Sequence, residues 1–243
     1  VGDIKPAENA LSLFLDMTWD IDAFTVENVG FYYANTLSKY FGEQHRDALQ
    51  HIFDEYFSLA FARKPEHMQH HLEQHFAEDN YHEAERRTAR YAAISAEADA
   101  IYAQLDEDSK PGFFQLVYYP VKGAALLNIA FLEAQRNRWY ARQGRAATNA
   151  VRDEVQRCYD SLQVITRGYN SLLGGKWNHM MSMRQNYDGV SAYFNLPHLA
   201  THDAAGAPRL ALQVAGEDVT GARAFHALPA FDNYLRRTYP VEI

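Results

Sequence analysis

The sequence predicts a mainly α protein: an antiparallel helical bundle followed by a short, incomplete β segment. Three observations predict it. Apolar residues recur three or four apart from Glu8 to Leu173, the period at which side chains return to one helix face. The interruptions between these periodic stretches are short, so successive helices must turn back on one another. From Asn195 the texture changes, and Leu210-Ala211-Leu212-Gln213-Val214 and the run Arg237 to Ile243 read as strands between Gly-rich turns. Roughly forty residues cannot make a stable sandwich alone, so the β part is incomplete.

Taken in order, Glu8 to Met17 carries Leu11, Phe14 and Leu15 as a short amphipathic helix, broken at Thr18-Trp19-Asp20. Thr25 is placed to cap a second helix running to Phe41, with Val29, Tyr32, Tyr33, Thr36, Leu37 and Tyr40 as its inward stripe and Gly42 closing it. A third runs from Glu43 to Ala62 with Leu49, Ile52, Phe53, Tyr56 and Phe57 inward, and Arg63-Lys64-Pro65-Glu66 ends it. The strongest helical pattern spans Tyr81 to Leu105, where Ala, Glu and Arg are dense and Tyr91, Ile94, Ala98, Ile101 and Leu105 share a face. Asp108 or Ser109 caps the next helix, with Pro111 in its first turn. That helix is expected to kink at Pro120 and continue to Gln143. A last long helix covers Ala147 to Leu173 and ends in Gly174-Gly175.

Composition narrows the function. An excess of acidic side chains gives a net charge of -8, which repels nucleic-acid phosphates. The single cysteine, Cys158, excludes an internal disulfide and a Cys-based zinc site. No apolar run reaches the roughly twenty residues of a membrane span. No signal peptide is visible in the chain, which opens without Met, so it is read as a piece of a longer polypeptide; a secreted or periplasmic parent is compatible, and the compartment is not fixed. Aromatic residues make up 14% of the chain, enough for broad aromatic packing or for a surface that meets carbohydrate or another domain.

The stretch Leu173-Gly174-Gly175-Lys176-Trp177-Asn178-His179-Met180-Met181 is the chain's fixed point. The glycines can supply the left-handed residue that closes a helix. Lys176, Trp177, Asn178 and His179 then set a cation, an indole donor, an amide and an imidazole on one short loop. The plain alternative is a helix terminator whose following side chains plug a core. His67, His71 and His75 fall at i, i+4 and i+8, a spacing that can hold a metal, but the run with His70 sits among Gln69, Glu73 and Gln74 and reads as a solvated face. No metal or cofactor is expected. Glycoside hydrolysis needs two carboxylates flanking one bond; Glu83, Glu85, Asp106 to Asp108, Asp153 and Glu154 lie instead at positions suited to surface charge pairing. Asn128, Arg136, Asn137 and Arg138 form a polar band that suits either sugar recognition or, when buried, the tying of helices.

Five segments occur in an order that resembles glycoside hydrolase family 115, the xylan α-1,2-glucuronidases. They are Val1-Gly2-Asp3-Ile4-Lys5-Pro6, Arg63-Lys64-Pro65-Glu66, Asn80-Tyr81-His82-Glu83-Ala84-Glu85-Arg86, Phe114-Gln115-Leu116-Val117-Tyr118-Tyr119-Pro120-Val121-Lys122 and Gly174-Gly175-Lys176-Trp177-Asn178-His179-Met180-Met181. The resemblance implies residues 1–8 as the tail of a (β/α)₈ barrel, 9–183 as a helical bundle domain, 184–205 as a linker and 206–243 as the start of a C-terminal β-sandwich. It implies catalytic acids in the missing barrel, and so no catalytic residue in this chain. Only Asp3 and Lys5 are then expected near substrate, a xylan-derived carbohydrate, while Lys176, Trp177, Asn178 and His179 are structural or interfacial. The other reading is a helical interaction module, dimerising through its aromatic stripes without catalysis.

Overall fold

The computed structural model describes residues 8–64, 68, 76–78, 81–181, 198–203, 213–214 and 241–242. Seven helices are described: α1 (Glu8–Trp19), α2 (Tyr32–Phe41), α3 (Arg46–Ala62), α4 (Glu83–Gln104), α5 (Lys110–Phe113), α6 (Tyr119–Gln143) and α7 (Thr148–Gly175). Two short strands, β1 (Gln213–Val214) and β2 (Val241–Glu242), pair antiparallel with Gln213 opposite Glu242 and Val214 opposite Val241. Mainly α with a short β segment is therefore the architecture. The histidine run, Asp3, Lys5 and the stretch from Ser182 to Pro197 lie outside the described residues.

The order of cross-helix partners shows that α2, α3, α4, α6 and α7 run alternately up and down. Tyr33 stacks on Phe53 near one end of the α2–α3 pair, and Arg46 meets Asn35 nearer the other. His51 meets Glu97, Glu55 meets Arg90 and Leu59 meets Arg87 across α3 and α4. Arg87 reaches Asn128, Asp99 reaches Lys122 and Tyr102 reaches Tyr118 across α4 and the α6 segment. Tyr119 meets Thr166, and Asn137 meets Thr148, across α6 and α7. Each rising residue number faces a falling one, as short loops between long helices require.

The main core lies among α2, α3, α4 and the start of α6: Leu37, Phe41, Leu49, Ile52, Phe53, Tyr91, Ile94, Ile101, Phe113 and Val117 are all buried there. Aromatic rings supply much of its specificity, with Tyr33 and Phe53 stacked at 5.0 Å and Phe41 edge-on to Phe113 at 5.2 Å. A second cluster of Ala130, Ala134, Val155 and Cys158 joins α6 to α7.

Local details depart from the sequence expectation in instructive ways. The second helix does not begin at Thr25. Thr25 and Asn28 instead satisfy each other's backbone N–H groups through their side chains at 2.9 and 3.3 Å, closing a turn before the helix proper starts at Tyr32. Its buried face is Ala34, Leu37, Ser38 and Phe41, so Tyr40, expected inward, is exposed. Helix α1 runs on through Trp19, two residues past Met17, before Asp20 ends it.

Pro120 produces a widened turn in place of the expected kink. Residues Phe114–Tyr118 form a single π-helical stretch between α5 and α6, and Pro120 sits in the first turn of α6. Having no N–H, Pro120 cannot bond the carbonyl of Leu116 four residues back. Asn9 Nδ2 of α1 donates to that freed oxygen at 2.7 Å, and Gln115 of the same turn bonds the Glu8 carboxylate. The proline-made gap is thus the place where α1 is attached to the bundle.

Candidate functional site

The last helix and its terminus build the candidate site. Regular geometry in α7 stops at Ser171. Leu172 is extended (φ −53°, ψ 140°), and Leu173 (φ 52°), Gly174 (φ 70°) and Gly175 (φ 86°) follow with left-handed torsions. Glycine adopts these torsions freely, whereas Leu173 and His179 (φ 70°) do so against the steric preference of an L side chain. The reversal turns Lys176–His179 back over the helix end. Lys176 N–H donates to Leu172 O at 3.2 Å, Asn178 N–H to Gly175 O at 3.0 Å and Met180 N–H to Trp177 O at 3.0 Å.

One side chain fixes the loop's exit. Asn170 Nδ2 donates to Met181 O at 2.9 Å, and Met181 N–H donates to Asn170 Oδ1 at 3.0 Å. The amide thereby mimics a paired strand residue, and Met181 is buried beneath it. Met180 and Lys176 remain exposed and Trp177 is half-buried, with Lys176 Nζ 4.9 Å from the centre of the Trp177 ring. A cavity of about 480 Å³, open to solvent, lies against the turn and is lined by Arg167, Asn170, Ser171, Gly174, Gly175 and Asn178. Among the described residues no carboxylate lines it, and they supply no acid/base pair for bond cleavage there.

Glu8, the first described residue, lies at the same end of the bundle. Burial, with the charge of Glu8 and then Tyr119 adding to it, pushes the Tyr169 phenol well above its usual range, which sets Glu8 near Tyr169. Tyr169 is buried, packs on Tyr119 at 4.9 Å and immediately precedes the clamping Asn170. Asp3 and Lys5 lie outside the described residues; Glu8 and the loop bearing Lys176, Trp177, Asn178 and His179 stand at one pole of the bundle.

Elsewhere the charged groups have structural partners. Glu83, Glu85, Asp106, Glu107, Asp108 and Asp153 are exposed. Glu133 is the buried carboxylate; desolvation raises its pKa, while Arg136 Nη1 donates to it at 2.8 Å and opposes the rise. Arg136 Nη2 also reaches Glu78 at 3.1 Å. Burial pushes the Cys158 thiol up to about 12, which makes it inert as a nucleophile near neutral pH. Among the described residues no group of three His, Cys, Asp or Glu side chains could hold a metal ion.

Sequence reasoning missed two devices. Among the described residues no carboxylate meets the buried Arg87: Nε donates to Asn128 Oδ1 at 3.0 Å, Nη1 to Leu59 O at 3.0 Å and Nη2 to Arg63 O at 2.9 Å, with Phe76 facing the guanidinium at 4.7 Å. The second is a pair of amide clamps on the segment 198–203. Asn137 exchanges two bonds with Ala200, accepting from its N–H at 2.8 Å and donating to its O at 3.1 Å. Asn149 does the same with His202, at 3.0 and 2.8 Å. The two-residue spacing of Ala200 and His202 matches the strand repeat. Asn137 belongs to the polar band that the sequence singled out, in its helix-tying role.

Comparison with known proteins agrees with the resemblance carried by the five segments. The family model described as "Glycosyl hydrolase family 115" matches residues 1–67. No curated protein matches the chain. Among solved structures, the chain is similar to one described as a novel family GH115 4-O-methyl-alpha-glucuronidase, BtGH115A, with specificity for decorated arabinogalactans. The identity is 28%, the TM-score is 0.69 and 87% of the present chain is covered. The match spans 28% of the length of that protein. Both findings point to the same family, so glycoside hydrolase family 115 is what this chain is similar to.

Proposed function

We propose that this chain is the helical domain of a glycoside hydrolase that removes glucuronic acid or 4-O-methylglucuronic acid side chains from xylan or a similarly decorated polysaccharide. Its role is to support a catalytic barrel carried elsewhere in the same polypeptide. The observation that carries the reading is the fold match over 87% of the chain to a 4-O-methyl-alpha-glucuronidase, TM-score 0.69. Glycoside hydrolysis uses two carboxyl groups roughly 5 to 9.5 Å apart, one of them held protonated. No described carboxylate lines the cavity at the end of α7, and in this reading the working acids belong outside this chain. In this reading residues 1–8 end the barrel, 9–183 are the bundle, 184–205 a linker and 206–243 the start of a sandwich. Asp3 and Lys5 then stand nearest the substrate, and Lys176, Trp177, Asn178 and His179 face the neighbouring domain.

The test is uronic acid release by the whole polypeptide, assayed in parallel on glucuronoxylan and on a uronic-acid-decorated arabinogalactan. Release from either supports the reading and assigns the backbone preference; release from neither refutes it. The isolated 243-residue chain is expected to release none, and activity from it would overturn the placement of the acids. A second reading, a helical interaction or dimerisation module, draws on the exposed side chains of Trp19 and Phe61. Light scattering separates the two, since a stable, discrete dimer would favour the module.

A further inference from the structure

Helix α1 is apolar on two opposite sides. Asn9, Leu13 and Met17 recur at i, i+4 and i+8 and are half-buried against the bundle, where Asn9 bonds Leu116 O. Leu11, Leu15 and Trp19 recur at the same spacing about 160–200° away around the helix. Phe14, Leu15 and Trp19 are 60%, 53% and 92% exposed, and no residue of α1 is buried. The turns that follow extend the exposed apolar surface through Ile21 and Val26, the latter 90% exposed. Beside the polar row of Glu8, Ser12 and Asp16, this second apolar row stays largely uncovered, and twelve residues are too few to be stable in water without packing. The outward face of α1 is therefore an interface waiting for its second side.

We propose that this face, centred on Leu15 and Trp19, docks the catalytic domain of the same polypeptide; the inference rests on the reading of this chain as one domain of a longer glycosidase. Three observations favour that occupant over a second copy of the chain. The family model matches residues 1–67, the segment that bears nine exposed large apolar side chains: Phe14, Leu15, Trp19, Ile21, Val26, Phe31, Tyr40, Phe57 and Phe61. The surface thus coincides with the part of the chain that the family shares. The similar solved protein has most of its length outside the matched region, since the match spans only 28% of it, and so has chain enough to cover such a face. Finally, in the reading above residues 1–8 end the barrel, and a domain so joined is tethered within a few residues of the face and meets it at high effective concentration.

The experiment places a photo-cross-linker in the whole polypeptide, as Trp19→p-benzoylphenylalanine, and maps the products by mass spectrometry. Deuterium uptake of the Glu8–Trp19 peptide is followed in the unsubstituted protein. The expected result is an intramolecular cross-link to sequence preceding this chain, together with at least tenfold slower exchange in α1 than an exposed helix of its length would show. Cross-links between two copies, cross-links confined to residues 8–243, or unprotected α1 amides would each overturn the proposal. Neither readout uses substrate. A polypeptide that cross-links as expected yet releases no uronic acid refutes the glycosidase reading and leaves the docking intact; the reverse pattern does the opposite.

Discussion

Two regions of this bundle solve one problem with different chemistry. Where α3 ends and where the chain returns as residues 198–203, backbone polar groups are buried beside helices and must be paired. At the end of α3 only carbonyls need partners, and a cation meets them: Arg87 gives three of its N–H groups to Leu59 O, Arg63 O and Asn128 Oδ1. The negative pole of the helix favours positive charge there. Along 198–203 a donor and an acceptor arise together, and neutral amides meet both, Asn137 at Ala200 and Asn149 at His202. The unmet groups therefore select the residue type, whichever helix carries it. Asn9 at Leu116 O is the single-acceptor version of the amide solution.

The largest expected effect breaks the cationic half. Arg87→Ala takes a donor from three acceptors, of which Leu59 O keeps the Arg63 N–H at 3.2 Å, and removes a guanidinium packed on Phe76 and Tyr91. We expect a loss of about 3–5 kcal/mol, measured by urea unfolding. Arg87→Lys should recover only part of it, because one ammonium cannot span three acceptors set around a planar fork. If Arg87→Met were neutral, the carbonyls would have to be satisfied some other way and the comparison would fail.

The amide half should cost less per site. Asn137→Ala removes the bonds to Thr148 O and Ala200 and leaves buried groups unpaired, with an expected loss of about 1–3 kcal/mol. Asn137→Asp is the sharper variant. It keeps the acceptor for the Ala200 N–H and loses both donated bonds, so it should destabilise more than volume alone predicts. Faster amide exchange at Ala200 in either variant would show that the clamp orders the 198–203 segment.

The left-handed reversal sharpens the contrast, because there the fix is conformational. Leu173 is 62% exposed and holds φ 52°, a conformation that costs an L residue about 1–2 kcal/mol. Leu173→Gly should stabilise the chain by about 1 kcal/mol once glycine's greater chain entropy is subtracted, read as a raised urea midpoint at unchanged slope. An unchanged or lowered midpoint would mean that the half-exposed Leu173 side chain contributes contacts worth more than the strain.

Period and punctuation made the helices legible. Tyr91, Ile94, Ala98 and Ile101 point inward as their spacing requires, and the glycine pair closes α7 as glycine pairs do. Tyr40 misled because an aromatic at helical spacing was assigned to the core, while the small residues Ala34 and Ser38 mark the true contact face. The π turn before Pro120 was illegible for a different reason: whether a proline kinks a helix or widens one turn depends on a partner for the freed carbonyl, and that partner, Asn9, is 107 residues away from Leu116. Arg87 and the asparagine clamps escaped notice for the same cause. Their type reports the need for donors, but only the fold shows whose carbonyls they meet. At the candidate site, the order of the five segments was readable, whereas the convergence of Glu8 and Asn170 on one pole needed the packing of α1 against the π turn.

The smallest expected effect concerns the third kind of buried group, an acid. Glu133 faces Arg136 from its own helix, Glu78 from the segment before α4, and Glu154 from α7. Burial outweighs Arg136 and raises its pKa, with the two other carboxylates adding to the rise. A native pKa above the unfolded one means that the folded state holds the proton more tightly. The associated stability is present at acid pH and is lost as pH rises through the raised native value, above the ordinary carboxylate range. Glu133→Gln should therefore flatten that slope: relative to wild type the variant is least favourable in acid and gains as the solution approaches neutrality. Urea midpoints from pH 4 to pH 8 check the sign. A wild-type advantage that grew with pH would instead make the ion pair with Arg136 dominant, and charge pairing would then have to join the cation at α3 and the amides at 198–203 as a stabilising device in this bundle.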